Sequence, residues 1–97
     1  MLITTDIVSS PGEILKEEFL EPLGISQYRL AAAIGKPQSA VSDIIHGRRA
    51  ITPEMARLIG QALGTTTEFW LALQATYQAK TIDETTQTSV VCLVEEA

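Results

Sequence analysis

Apolar positions along this chain recur at helical spacing in five short runs, each bounded by residue types that start or stop a helix. Ser10-Pro11-Gly12-Glu13 combines a capping serine, a proline suited to the first helical position and a glutamate that can close a capping box. A first helix therefore opens there and runs to about Leu20, where Pro22 and Gly24 stop it. Ser26 caps a second helix over Gln27 to Ile34, ended by Gly35. A third begins near Pro37 and stops at Gly47. Thr52-Pro53-Glu54 repeats the cap-then-proline signal for a fourth, which ends at Gly64. Thr65-Thr66-Thr67-Glu68 reads as a second capping box, opening a fifth helix through Tyr77 or Ala79. The pattern predicts a compact all-α domain.

The C-terminal segment departs from it. Val90-Val91-Cys92-Leu93-Val94 is apolar and mostly β-branched, which predicts a short strand after a Thr-rich, polar stretch from Lys80 to Ser89. An isolated strand needs a partner for its backbone groups. Leu2-Ile3-Thr4, the same segment of a second protomer, or the sheet of another protein could supply it, and a disordered tail is the alternative. The expected organisation is an arm over 1–9, a domain over 10–79 and a tail over 80–97.

Helices two and three, joined by a Gly-containing turn, form the arrangement that presents the second of the pair to the major groove of DNA. Leu30, Ala31 and Ile34 on the first, with Val41, Ile44 and Ile45 on the second, supply the packing face. At ~100° per residue, the opposite side of the third helix holds Ser39, Asp43 and His46, flanked by Ser42, with Gln38 in the first turn. That face is short, polar and nearly uncharged, and it suits base edges. Glutamine pairs with adenine N6 and N7, serine donates or accepts, and aspartate accepts from cytosine N4. A solvated helix residue is the other reading of Asp43. Phosphate contacts are expected at the edges of this helix, from Gln27 at the start of helix two, Lys36 in the turn, and Arg48 and Arg49 in the following loop.

Charge changes the picture of a chain that is acidic overall. The net charge of the 97 residues is −5. From Ser26 to Ile59, however, Arg29, Lys36, Arg48, Arg49 and Arg57 face only Asp43 and Glu54, a net of +3. From Gly60 onward Lys80 alone opposes five carboxylates. Phosphate binding depends on the local balance, so the acidic total does not exclude it.

The residues Ile25-Ser26-Gln27-Tyr28-Arg29-Leu30-Ala31, Gly35 and Val41-Ser42-Asp43-Ile44-Ile45-His46-Gly47 resemble the Xre, or phage-repressor-like, helix-turn-helix family. Pro11-Gly12-Glu13-Ile14-Leu15 with Glu17-Glu18-Phe19-Leu20-Glu21-Pro22-Leu23-Gly24, and Leu63-Gly64-Thr65 with Glu68-Phe69-Trp70-Leu71 and Leu73-Gln74, are similar to HigA-type antitoxins. The resemblance implies a five-helix DNA-binding domain that acts as a homodimer on palindromic double-stranded operator DNA and represses its own operon. It also implies a HigB-like toxin partner, a small mRNA-cleaving ribonuclease. Carried onto this sequence, the groove residues fall at Gln38, Ser39, Ser42 and Asp43, and the phosphate contacts at Gln27 and around Arg48-Arg49. A stand-alone Xre-type repressor without a toxin would share these motifs.

The fifth helix carries Phe69, Leu73 and Tyr77 on one face, with Trp70 beside them and Leu71 and Ala75 beyond. Two apolar sides suggest two burial partners, so Trp70 and Leu71, with Val90, Val91 and Leu93 of the tail, are candidate dimer or toxin contacts. Trp70 and Tyr77 could equally cap a small core. Glu18 falls in the apolar arc of helix one with Ile14, Leu15 and Phe19, so burial against an arginine is expected. With one histidine, one cysteine, no Gly-rich phosphate loop and no nucleophile–base pair, neither an enzyme nor a metal, cofactor or small-molecule site is expected. No apolar run reaches the ~18 residues of a membrane span. Met1 to Ser10 lacks the basic residues of a signal or transit peptide, and Cys92 has no partner in the chain; the cytoplasm is the expected setting.

Overall fold

A computed structural model describes residues 9–82 and 90–94. The described residues form five helices, α1 (residues 11–23), α2 (Gln27–Ile34), α3 (Gln38–Ile45), α4 (Pro53–Leu63) and α5 (Thr67–Thr81). The caps follow the sequence signals closely. Ser10 Oγ accepts from the Glu13 N–H at 3.1 Å while the Ser10 N–H donates to Glu13 Oε1 at 3.0 Å, completing the capping box. Ser26 and Thr52 cap α2 and α4 with a single bond each, their hydroxyls accepting from the N–H groups of Arg29 and Met55.

Two terminal signals resolve differently. The cap of α5 is Thr66, which accepts from the Phe69 N–H at 3.0 Å, one residue later than the expected Thr65. Thr65 is engaged elsewhere, since its hydroxyl accepts a hydrogen bond from the Trp70 indole N–H at 2.7 Å. Helix α1 does not end at Leu20 either. Its middle, Leu15–Leu20, is π-helical, and an α-helical turn, Glu21–Leu23, follows before Gly24 closes it. Pro22 in a regular α-helix would crowd the Glu18 carbonyl; the wider turn ahead of it accommodates the ring.

That wider turn also corrects the expectation for Glu18. Leu15 and Leu20 are both buried although five residues apart, a spacing that puts them ~140° apart on an α-helix. Bonding from i to i+5 draws them onto one side and turns Glu18 outward, where it is exposed and needs no arginine.

One core joins all five helices. Leu15 and Leu20 of α1, Leu30, Ala31 and Ile34 of α2, Val41, Ile44 and Ile45 of α3, Met55, Ala56 and Ile59 of α4 and Trp70 of α5 form it together with Ile51. Helix α2 packs on α3 and α4, α4 on α5, and α1 on both α3 and α5. Gly12 makes the α1–α3 approach possible, since a Cβ there would overlap the Ile44 carbonyl. Trp70 is fully buried, so it is a core residue and presents no surface to a partner. Leu71 is half-buried and packs against the same core.

The predicted strand does not form among the described residues. Residues 90–94 carry no ladder, and Val90, Val91, Leu93 and Val94 are all exposed. A single chain offers these backbone groups no strand to pair with among the described residues. The pairing segment suggested for it, Leu2-Ile3-Thr4, lies outside the described residues.

Candidate nucleic-acid interface

The turn between α2 and α3 consists of Gly35, Lys36 and Pro37. Gly35 takes φ +70°, the left-handed conformation that favours glycine, and the Lys36 N–H folds back to the Ala31 carbonyl at 3.0 Å. Pro37 then sets the extended residue before α3 and provides no side-chain cap. The Ala40 N–H in the first turn of α3 donates to the Pro37 carbonyl at 3.0 Å, and no side chain of Pro37 caps the N–H groups of Gln38 and Ser39 ahead of it.

On α3, Ala40, Val41, Ile44 and Ile45 are buried. Gln38 and Ser39 are exposed, and Ser42 and Asp43 are half-buried. The four expected groove residues therefore lie on the part of the helix that the core leaves open. The His46 Nδ1–H donates to the Ser42 carbonyl at 2.8 Å, with Ser42 Oγ 3.3 Å away. Gln27 stands half-buried in the first turn of α2.

The expected phosphate-binding cations are present, but each is already paired. Arg48 Nε donates to Asp43 Oδ1 at 3.1 Å, and an Arg49 terminal nitrogen lies 3.5 Å from Asp43 Oδ2. Lys36 Nζ donates to Glu54 Oε2 at 3.2 Å. Asp43 is therefore neither an unengaged base acceptor nor a simply solvated residue; it ties down the loop that follows its own helix. Exposed pairs of this kind contribute only ~0–1 kcal/mol, so a phosphate can displace them.

Two participants carry no local sequence signal for the parts they play. Glu54 reads in the sequence only as part of a helix start, because its pairing with Lys36 spans eighteen positions. Gln74 on α5 accepts from the part-buried Ile51 N–H at 2.8 Å. That bond fixes the far end of the loop carrying Arg48 and Arg49, and no local spacing announces it.

A buried helix pair, a three-residue glycine turn and an open polar face on the second helix together define a helix-turn-helix. A helix-turn-helix family profile matches residues 16–70, more than half of the chain. The chain belongs to the Xre helix-turn-helix family. Within the family its likeness is to HigA-type antitoxins. It is 48% identical over 65 residues to antitoxin HigA-1 of Vibrio cholerae, covering 67% of this chain and 61% of that protein. The chain thus spans about three fifths of the HigA-1 length. Among solved structures, the Pseudomonas aeruginosa antitoxin HigA with the higBA promoter superposes with a TM-score of 0.70 at 32% identity, covering 87% of this chain and 100% of that one. The antitoxin GraA in complex with its operator gives 0.69 at 32%, with 94% and 100% covered. Among the described residues, no helix of this family member is long and apolar enough to cross a membrane.

Proposed function

We propose that this chain is a DNA-binding antitoxin that represses its own operon by occupying a palindromic operator as a dimer and neutralises a HigB-like mRNA-cleaving ribonuclease. The observation that carries the DNA half is the composition of α3: an outward face of Gln38, Ser39 and Ser42, with Lys36, Arg48 and Arg49 set around its ends. Uncharged hydrogen-bonding groups read bases, and the flanking cations hold the backbone. Relatives that stand on their promoter or operator support the same reading. Arg48→Ala is expected to weaken binding to every duplex and to flatten the salt dependence by about one unit of slope, whereas Gln38→Ala costs ~1–3 kcal/mol at one base position. Gel shifts against single-base variants of the upstream promoter, at low and moderate salt, distinguish the two patterns.

The partner half rests on the family likeness and on the exposed Val90, Val91 and Leu93, which offer apolar side chains to a second protein. Co-expression with the product of the neighbouring small reading frame tests it. The 97-residue chain is expected to restore growth and to co-purify with the toxin, and deletion of residues 85–97 is expected to lose dimerisation or toxin binding. Unchanged dimerisation and toxin binding after that deletion would remove the tail from the interface. Operator binding without any neutralisation would leave a stand-alone Xre-type repressor.

A further inference from the structure

Between Ser26 and Ile59 the chain carries only two carboxylates, Asp43 and Glu54, and both are engaged by the cations that border α3. Asp43 holds Arg48 twice: the Arg48 N–H donates to the Asp43 carbonyl at 2.8 Å, and Nε donates to Oδ1 at 3.1 Å. Its second carboxylate oxygen faces Arg49. We infer that Asp43 is a specificity-determining residue, which positions Arg48 and Arg49 for the operator and penalises DNA whose groove α3 does not enter. The inference rests on the DNA-binding function proposed above.

Phosphate attraction is independent of sequence, so every added cation strengthens wrong complexes as well as right ones. A guanidinium already paired with a carboxylate gains less from a phosphate, and the carboxylate itself repels that phosphate. The balance differs between the two kinds of complex. Asp43 lies on the outward side of α3, about one turn beyond Ser39. With α3 seated in the groove, this face meets uncharged base edges, and the arginines, held from behind, reach the phosphates at the rim. With the helix resting outside the groove, the same carboxylate stands against the phosphate ridge. The repulsion therefore falls on the non-matching complex, which is how a binder gains selectivity without gaining affinity. Glu54 restrains Lys36 in the same manner from α4.

Asp43→Asn in the full chain tests this, measured by fluorescence anisotropy on the upstream promoter duplex and on a scrambled duplex of equal length between ~50 and ~200 mM salt. Affinity for the scrambled duplex is expected to rise about fivefold and its salt slope to steepen by about one, while affinity for the promoter is expected to fall, because Arg48 and Arg49 lose the carboxylate that positions them. Discrimination then falls. Glu54→Gln is expected to act in the same direction with a smaller change. An equal rise on both duplexes, an equal loss on both, or a change confined to one base pair of the promoter would overturn the inference, the last by making Asp43 a direct base reader. If the unmodified chain prefers the promoter and the variant keeps the same ratio, only the inference fails. If the unmodified chain shows no preference at either salt, the proposed DNA-binding function fails with it.

Discussion

Trp70→Ala should lower the stability of this domain by ~3–5 kcal/mol, the range for removing a large aromatic from a packed core. Trp70 is fully buried, stacked at a tilt on Phe19 with ring centroids 5.2 Å apart and edge-on to Phe69 at 5.0 Å. Its indole N–H is satisfied by Thr65, so the residue joins α5 to the turn that ends α4 as well as to α1. Alanine removes the ring from three elements at once and leaves a cavity where they meet. Domains of this size have ~5–15 kcal/mol to lose, so the variant would sit near the limit of folding. Trp70→Phe keeps much of the ring contact and gives up the hydrogen bond, and should lose distinctly less. Urea unfolding followed by circular dichroism measures both variants without relying on the indole. A loss below ~1 kcal/mol for the alanine variant would mean that Trp70 is not a core residue.

Gly12→Ala is the second large effect, and here two physical rules predict opposite signs. Helix propensity alone favours alanine over glycine by ~1 kcal/mol. Packing opposes it: the added Cβ would overlap the Ile44 carbonyl oxygen and lie 2.8 Å from Ile45 Cα. Both obstacles are backbone, which cannot rotate away as a side-chain tip can. Helix α1 must then retreat from α3, and a net loss of ~1–3 kcal/mol or more is expected. The strain falls on the last turn of α3, immediately beside Asp43 and the loop that carries Arg48 and Arg49. Folded Gly12→Ala should therefore bind DNA more weakly than the loss of stability alone explains. Urea unfolding beside promoter binding at equal folded concentration checks both statements, and a stabilised variant would show that the close helix contact is wrong.

The features legible in the sequence were those decided within a few residues. Ser10 with Glu13, Ser26 and Thr52 act as caps because a cap depends on three or four consecutive positions. The burial of Val41, Ile44 and Ile45, and with it the exposure of Gln38 and Ser39, followed from helical spacing alone. What escaped was set by longer-range or competing interactions. Glu18 was misplaced because the π-helical turn changes the angle per residue, which a fixed wheel cannot register. Thr65 and Thr66 are equivalent as caps by composition; the indole of Trp70 occupies one and leaves the other to α5. The pairing of Lys36 with Glu54, and the bond from Ile51 to Gln74, join separate elements. Val90 to Val94 has the composition of a strand, yet a strand exists only with a neighbour to bond.

The proposed seating of α3 in the major groove is the claim on which the DNA-binding reading depends. Protection of guanine N7 from methylation tests it most directly, because N7 is displayed there. Bound to the promoter of its own operon, the chain is expected to shield guanines in two patches about one helical turn (~34 Å) apart. Gln38→Ala is expected to weaken the same protections at symmetrical positions. Binding that leaves every N7 as reactive as in naked DNA would contradict a groove-seated α3.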